Sequence, residues 1–382
     1  MRIGLNLLHA LREIGGGWNY IANLVAALGD YDDANTYIAF VTHDSRCLVP
    51  AKQNFQTVFI NLNSRSRPRR VLYENTMLQL LAYKYHLDCM HWFANTQAIV
   101  NTVPGAVTIH DLQAFRDLVP FSRPKRLYLQ LMMRLTAKRA RILLPVSEAT
   151  ARELQRVLNV ASSQMVVIPV IIDSRFRPAT YKEIVYFKSK YGLPDHFWLY
   201  VAHFYPHKNH LRLLQAYHRL KANRSGPLWP LVLRGDPAGA EVEIEEAIAH
   251  LDLKHDVVFL PRLSEEEMPI LYSAATGMIF PSLYEGGGIP VVEAIACGCP
   301  VAASDIPPIR EFAGEAVLYF DPLDLESVAQ TILKLQNSSD LRESQRRLGL
   351  GVVEKFRQWN VIPRLLDAYR WVANSKIQRS EK

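Results

Sequence analysis

Short apolar runs alternate with longer amphipathic segments along almost the whole chain, and this alternation constrains the fold more than any other feature. A short apolar run suits a strand buried on both faces, and the amphipathic segment after it suits a crossover helix. In the first half the runs lie near residues 3–8, 37–42, 58–62, 89–93, 107–110, 142–146 and 166–168. In the second half they lie near residues 198–202, 231–233, 257–260, 278–280, 301–303 and 317–320. The pattern predicts an α/β fold with doubly wound parallel sheets.

The length of the chain predicts more than one domain. A chain of 382 residues exceeds the size of one ordinary core. A polar segment ending in proline, residues 172–178, separates the two series of apolar runs and suits a hinge. We therefore predict an N-terminal domain over residues 1–173, a second domain over residues 174–360 with a cleft between the two, and a C-terminal helix over residues 361–382 that packs back on the first domain.

The composition excludes several classes of protein. Hydrophobic residues make up 49% and charged residues 21% of the chain, as in a globular enzyme rather than a disordered protein. No stretch reaches the ~20 uninterrupted apolar residues that span a bilayer, and four cysteines are too few for a disulfide framework. Cys297 and Cys299 lack a second pair of ligands for zinc. We expect a cytoplasmic protein with no metal site.

The positive charge lies in the first half, where residues 1–185 hold 22 Lys and Arg against 13 Asp and Glu. The basic residues concentrate at residues 65–70 and 123–141, and the second segment also carries leucines and methionines. Such a segment can lie on an anionic membrane or meet a phosphate-bearing acceptor. A partly buried helix with a solvated basic edge is the ordinary alternative. Nucleic acid is disfavoured, because no stacking aromatics are interleaved with the basic run.

The most informative stretch is residues 281–301, which reads as the end of a strand, a glycine loop and a helix. Gly286, Gly287 and Gly288 allow a ligand to approach the backbone closely, and the amides at the helix start form a polar site. Glu285 and Glu293 flank this loop and can hold sugar or ribose hydroxyls. A tight turn followed by a surface glutamate is the alternative interpretation.

The stretch as a whole resembles the E-x7-E signature of the retaining nucleotide-sugar glycosyltransferases of family 4, also described as glycosyl transferases group 1. The resemblance implies the GT-B fold, in which two Rossmann-like domains face each other across a cleft. It also implies that Glu285 is catalytic and that residues Gly286, Gly287, Gly288, Ile289 and Glu293 bind the donor. Gly287 stands where the family usually has an aromatic residue.

Residues 200–210 resemble the family's second donor segment, in which a strand end delivers two cations to the diphosphate. Lys208 matches the family lysine and is the predicted catalytic cation, although a solvated lysine at a helix start is the alternative. His203 stands in place of the usual arginine and Ala202 in place of the usual glycine, so a permanent charge is exchanged for a titratable one.

Further candidates follow from the same resemblance. In the first half, Gly16 and Gly17 lie in the glycine-rich loop expected at the cleft, and His110 matches a strand-end histidine expected against the donor sugar. In the second half, Arg234 and Arg262 lie in the loops that hold the base or the ribose in relatives. An ordinary turn at Arg262 and a merely satisfied histidine at residue 110 are the alternatives.

The resemblance predicts front-face substitution with retained configuration, and no metal or other cofactor. The first hypothesis for the substrates is mannose from GDP-mannose, transferred to a saccharide or polyprenyl-diphosphate-linked acceptor in surface polysaccharide synthesis, such as O-antigen, lipopolysaccharide or exopolysaccharide. The basic N-terminal domain then allows peripheral contact with the inner face of the membrane. The alternatives are a catalytically weak scaffold of the same fold at the membrane, and an epimerase or phosphorylase of the same architecture.

Overall fold

The computed structural model of the protein describes residues 1–12, 15–118, 121–222 and 228–380. The chain divides into two compact units. The first comprises Met1–Ile171 together with Phe356–Lys382, and the second comprises Ile172–Lys355. Residues 381 and 382, the end of the predicted C-terminal helix, lie outside the described residues.

The strands of the described residues form two six-stranded sheets in which all pairings between named strands are parallel. The first sheet contains β1 (Arg2–Asn6), β2 (Thr36–Val41), β3 (Phe55–Phe59), β4 (Cys89–Trp92), β5 (Gly105–Ile109) and β6 (Ile142–Pro145). The second contains β7 (Trp198–Val201), β8 (Leu231–Arg234), β9 (Val257–Phe259), β10 (Gly277–Phe280), β11 (Val301–Ser304) and β12 (Leu318–Phe320).

Helices connect most of these strands. Those of the first half are α1 (Gly16–Tyr31), α2 (Arg67–Asn75), α3 (Met77–Lys84), α4 (Arg123–Arg139) and α5 (Glu148–Leu158). Those that follow are α6 (Tyr181–Tyr191), α7 (His210–Ala222), α8 (Glu241–His250), α9 (Glu267–Ala274), α10 (Ile289–Ala296), α11 (Pro307–Ala313), α12 (Leu325–Asn337), α13 (Ser339–Val353) and α14 (Gln358–Ser380).

The first sheet has the order β3-β2-β1-β4-β5-β6. The chain therefore runs outward from β1 on one side and outward from β4 on the other, so the direction of winding reverses between β1 and β4. Its centre is fully buried, as continuous apolar strands require. Helix α14 packs on α1, and the Tyr369 hydroxyl lies 2.6 Å from Nδ1 of the buried His91 on β4.

One predicted strand of the first unit is wrong. Residues 166–168 are irregular, and beyond the bridge between Leu143 and Met165 the segment runs beside β6 through two backbone hydrogen bonds. Val166 donates to Leu143 and Ile168 donates to Pro145. The apolar run donates hydrogen bonds to carbonyls on the outer edge of β6. Pro169, which has no N–H group, follows directly.

The second sheet repeats the same topology, with the order β12-β11-β10-β7-β8-β9. Here the winding reverses between β7 and β10. In open parallel sheets the loops at the carboxyl ends of two such strands diverge and leave a crevice where ligands bind. The loops after β7 and β10 are the two segments that the sequence singled out.

Candidate active site

Lys208 and Glu285 form an ion pair at the carboxyl ends of β7 and β10. Lys208 Nζ donates to Glu285 Oε1 at 2.5 Å, and the two side chains are only 16% and 11% exposed. The Tyr200 hydroxyl donates to the Lys208 carbonyl at 2.6 Å, which fixes the turn that carries the lysine. Lys208 Nζ also lies 5.7 Å from the ring centroid of Phe280. The solvated-lysine alternative is therefore wrong, because this ammonium group is shielded and held.

Asn209 gives the Lys208 turn its shape. Its φ is 62°, in the left-handed region that asparagine tolerates better than most residues. Its side-chain amide donates to the carbonyls of Pro281 and Pro322 at 3.1 and 3.0 Å. The loop after β7 is thus tied to the loop after β10, so that Lys208 and Glu285 are presented together.

Three predicted cations gather around Asp236. The Arg234 guanidinium lies 3.2 Å from Asp236 Oδ1, and Arg262 and His203 Nδ1 each lie 4.0 Å from Oδ2. The backbone N–H of Asp236 also donates to His203 Nδ1 at 3.3 Å. Asp236 was not among the predicted site residues. It could have been found from its position two residues after the end of β8, in the loop that also carries Arg234.

Gly235 explains why these loops can meet. A Cβ atom at this position would lie 1.8 Å from the backbone oxygen of Ala202, a separation that no side chain tolerates. The glycine therefore lets the loop after β8 touch the loop after β7 and places Asp236 beside His203.

The glycine loop ends as predicted at the start of α10. Gly288 is the N-cap with a φ of 70°, and Pro290 is the second residue of the helix. Gly286, Gly287 and Ile289 are half-buried. The first amides of a helix have no acceptor within the helix, so this end offers donors and a partial positive charge.

Glu293 and Glu285 contact different partners. It is 5% exposed and accepts a hydrogen bond from the Tyr272 hydroxyl at 2.9 Å. Burial raises its pKa to about 7, although the Tyr272 hydrogen bond and Arg175 act in the opposite direction. The surface-glutamate alternative is therefore wrong. The Tyr272 hydroxyl already donates to one oxygen of the carboxylate that was predicted to bind the donor.

The histidines of this region are uncharged near neutral pH. Burial lowers the pKa of His203, with Asp236 partly offsetting the effect. Burial also lowers the pKa of His207 to about 4 and that of His210 to about 3. At pH 7 the fixed positive charge therefore comes from the lysine and the arginines.

The candidates of the first unit lie directly after the end of β5 and at the start of α1. His110 follows β5, its Nε2 donates to the Phe93 carbonyl at 2.8 Å, and burial lowers its pKa. Its ring meets Tyr20 edge to face at 5.0 Å between centroids. Gly16 and Gly17 are the first two residues of α1, where backbone amides point out of the helix.

Within residues 1–12, 15–118, 121–222 and 228–380, no group of three or more His, Cys, Asp or Glu side chains is placed to hold a metal ion. Among the helices of the described chain, none combines the length and the apolarity that crossing a bilayer requires.

Two family models match this chain, one on each half. The model described as Glycosyltransferase Family 4 matches residues 14–176, and the model described as Glycosyl transferases group 1 matches residues 185–349. The chain belongs to glycosyltransferase family 4. This family 4 enzyme is therefore a glycosyltransferase, as the E-x7-E resemblance predicted.

Relatives and solved structures agree with the family. This glycosyltransferase is 27% identical over 267 residues to O-antigen chain mannosyltransferase B of Escherichia coli, with 70% of each chain covered. It is 26% identical to O-antigen chain mannosyltransferase RfbU of Salmonella typhimurium, with 88% of this chain and 91% of that protein covered. Sucrose-phosphate synthase from Thermosynechococcus elongatus has a similar structure, with a TM-score of 0.81, 19% identity and coverage of 98% and 100%. The predicted α/β class and GT-B fold are confirmed.

Proposed function

We propose that this protein is a retaining, metal-independent mannosyltransferase that uses GDP-mannose in the synthesis of a surface polysaccharide. The observation that carries the proposal is the shielded Lys208–Glu285 pair at the switch point of the second sheet. The names of the two O-antigen mannosyltransferase relatives support mannose as the sugar and a polysaccharide as the product.

The proposed role of the cations follows from the charge that develops in the reaction. As the glycosidic bond loosens, the nucleoside diphosphate gains negative charge, and a fixed ammonium group in a shielded crevice stabilises it strongly. Lys208 is the principal candidate, and Arg234 and Arg262 are candidates for the rest of the nucleotide. When the diphosphate accepts from Lys208, Glu285 is released to accept from a sugar hydroxyl.

Retention is proposed to occur on one face of the sugar. The acceptor hydroxyl enters as the diphosphate leaves, and the departing diphosphate takes the hydroxyl proton. A double displacement needs a carboxylate nucleophile at the anomeric carbon. In this proposal Glu285 accepts from a sugar hydroxyl and Glu293 is buried against Tyr272, so neither carboxylate is assigned the role of such a nucleophile.

We assign the acceptor to the first unit, and its surface supports contact with a membrane. Leu72 and Leu80 on α2 and α3, and Leu127 and Leu131 on α4, are between 56% and 66% exposed. The basic residues between 123 and 139 lie on the same helix as the last two. Exposed leucines among basic residues suit an anionic bilayer that carries a lipid-linked acceptor.

Vesicle sedimentation tests this contact. The wild type should sediment with vesicles of phosphatidylglycerol and phosphatidylcholine, and replacing Leu127 and Leu131 by Glu should abolish this binding. Leu323→Glu, at an exposed leucine of the second unit, is the matched control and should bind like the wild type. Equal binding by all three proteins would exclude this surface.

Two measurements test the function itself. In a thermal-shift assay with GDP, UDP, ADP and TDP, only GDP should raise the melting temperature, and EDTA should leave the rise unchanged. With GDP-mannose, whose sugar is α-linked, the product mannoside should have the α configuration by NMR. A rise with another nucleotide would refute the donor, a rise lost in EDTA would refute metal independence, and a β-linked product would refute retention.

A further inference from the structure

A second crevice lies within the first unit, at the point where its own sheet reverses its winding. The cavity has a volume of about 120 Å³ and opens where β1 and β4 end. Asn6 and His9 line it after β1, and Trp92 lines it at the end of β4. Helix α2 covers it with Arg67 and Arg70. We call it the arginine cavity.

Three residues that line the arginine cavity carry donors without an acceptor in the described chain. Arg67 Nε, Arg70 Nε and Trp92 Nε1 are buried and make no hydrogen bond within the described residues. Trp92 is 2% exposed, and its indole nitrogen is buried. Buried N–H groups without partners are uncommon in native proteins, and three of them on residues that line one cavity favour a ligand that accepts hydrogen bonds.

The charge of the lining indicates that this ligand is an anion. Glu74 is the carboxylate of the lining, and its Oε1 lies 3.8 Å from Arg70 Nε and accepts from Asn6 at 3.1 Å. Arg67 instead lies over the ring of Tyr128, 5.2 Å from its centroid. His9 adds no charge, because burial and the neighbouring Arg70 lower its pKa to about 3. Two guanidinium groups thus face one carboxylate, which leaves an excess of positive charge.

The geometry points to an oxyanion with several acceptor oxygens, because guanidinium N–H groups match such ions in shape as well as charge. We propose that the arginine cavity binds a phosphate group of the acceptor. This inference rests on the proposed transfer function and gives its acceptor a chemical class, a phosphorylated or diphosphate-linked saccharide. Helix α4, which carries the exposed Leu127 and Leu131, meets α2 at the cavity, since Arg67 lies over the ring of Tyr128.

Arg67→Gln is the primary test, because Arg67 makes no ion pair in the described chain that its loss would leave unbalanced. Transfer is measured with a polyprenyl-diphosphate-linked saccharide and with the same saccharide as a simple alkyl glycoside. We expect KM for the diphosphate-linked acceptor to rise roughly tenfold or more, which is the effect of losing a charged hydrogen bond. KM for the alkyl glycoside and the affinity for GDP should stay the same.

Two further variants separate ligand binding from folding. Trp92→Phe keeps a buried aromatic ring but removes the indole N–H together with part of the bicyclic ring system, so it should raise the same KM severalfold. Arg69→Gln removes an exposed arginine of the same helix and should change nothing. An equal loss on both acceptors in Arg67→Gln would mark a structural role and overturn the proposal, as would wild-type values throughout.

Two other outcomes of the Arg67→Gln experiment would identify a different source of the phosphate. A loss of GDP affinity in Arg67→Gln would assign the cavity to the donor, and a loss of vesicle binding at unchanged KM would assign it to membrane headgroups; either result overturns the proposal. Calorimetry with pyrophosphate tests the cavity without turnover, and Lys208→Ala removes the other expected site. If the wild type transfers no mannose but Arg67→Gln still loses pyrophosphate binding, the proposed function fails and the cavity remains an oxyanion site.

Discussion

The two sheets of this protein wind identically, yet the crevices at their switch points carry opposite electrostatic arrangements. In the second unit the cations have carboxylate neighbours: Lys208 is paired with Glu285, and Arg234 is paired with Asp236. In the first unit Arg70 has a carboxylate neighbour, Glu74, whereas Arg67 lies over the ring of Tyr128. The Nε atoms of both arginines lack acceptors within the described residues, as does that of Arg234 in the second unit. The backbone supplies the same crevice twice, and the side chains determine what each can bind.

The difference has a thermodynamic consequence. A ligand of the second crevice must displace a carboxylate from a cation. The diphosphate of the proposed donor therefore replaces an ion pair that already exists. A ligand of the arginine cavity instead supplies acceptors that are missing, because unpaired buried donors cost about 1 to 3 kcal/mol each. We therefore expect the second crevice to be selective for a ligand with both phosphate and hydroxyl groups, and the first to accept simple oxyanions.

Lys208→Ala should have the largest effect and is the most direct way to break the comparison. The variant removes the cation that we propose faces the leaving group, so kcat should fall roughly 100- to 1000-fold, as when a preorganised electrostatic group is lost. Initial rates with GDP-mannose measure this fall. Lys254→Ala, at an exposed lysine of the same unit, is the control. Turnover of Lys208→Ala within twofold of the wild type would remove the donor role from this crevice.

Glu293→Gln should stabilise the protein at alkaline pH. The pKa of Glu293 is raised to about 7 from 4.5, so the unfolded chain releases this proton at lower pH than the folded chain. Stability is therefore lost as pH rises from about 4.5 to 7, and the loss is complete above 7; by the usual conversion it amounts to about 3 kcal/mol. Glutamine keeps a partner for Tyr272 and avoids the loss, so we expect a gain of roughly 1 to 3 kcal/mol at pH 8.

Urea unfolding followed by tryptophan fluorescence at pH 5 and pH 8 measures this gain. The matched variant is Glu74→Gln in the first unit, where burial also raises the pKa but Arg70 provides a counter-charge. Glu74→Gln should bring no gain, because it leaves Arg70 without its carboxylate. A larger loss of stability for Glu293→Gln at pH 8 than at pH 5 would contradict the assignment.

His203→Arg should have the smallest effect and sharpens the electrostatic account. Because burial lowers the pKa of His203 below 6.5, the ring is neutral at pH 8 and gains a proton only as pH falls. GDP affinity of the wild type should therefore rise as pH falls toward this lowered pKa. The arginine variant should bind GDP about three- to tenfold more tightly at pH 8. The affinity ratio of the two proteins, from calorimetry, should shrink as pH falls, whereas a constant ratio would exclude His203 from the diphosphate site.

The regular parts of the fold were predictable because a buried parallel strand has a strong local signal. The runs at 198–202, 231–233, 278–280 and 301–303 all became strands of the second sheet. Residues 166–168 have the same composition but lie at the outer edge of β6, where partial pairing is enough. Composition alone does not separate an edge segment from a strand of the sheet.

The site was predictable only where its geometry depends on one continuous segment of the sequence. The glycine loop and the start of α10 were expected from residues 286–290, since turn and helix signals are local. The pairing of Lys208 with Glu285 joins residues 77 apart, and its closeness depends on the strand order. The arginine cavity was missed for the same reason: Arg67, Trp92 and His9 come from three separate segments, and the sequence showed only that residues 65–70 are basic.

The central claim is that the donor diphosphate binds at Lys208 in the second unit and not in the arginine cavity of the first. Calorimetric titration of GDP into the wild type, Lys208→Ala and Arg67→Gln tests this claim most directly. The account predicts that GDP affinity falls by about tenfold or more in Lys208→Ala, as for a lost charged hydrogen bond, and is unchanged in Arg67→Gln. Unchanged affinity in Lys208→Ala with a loss in Arg67→Gln would contradict the account.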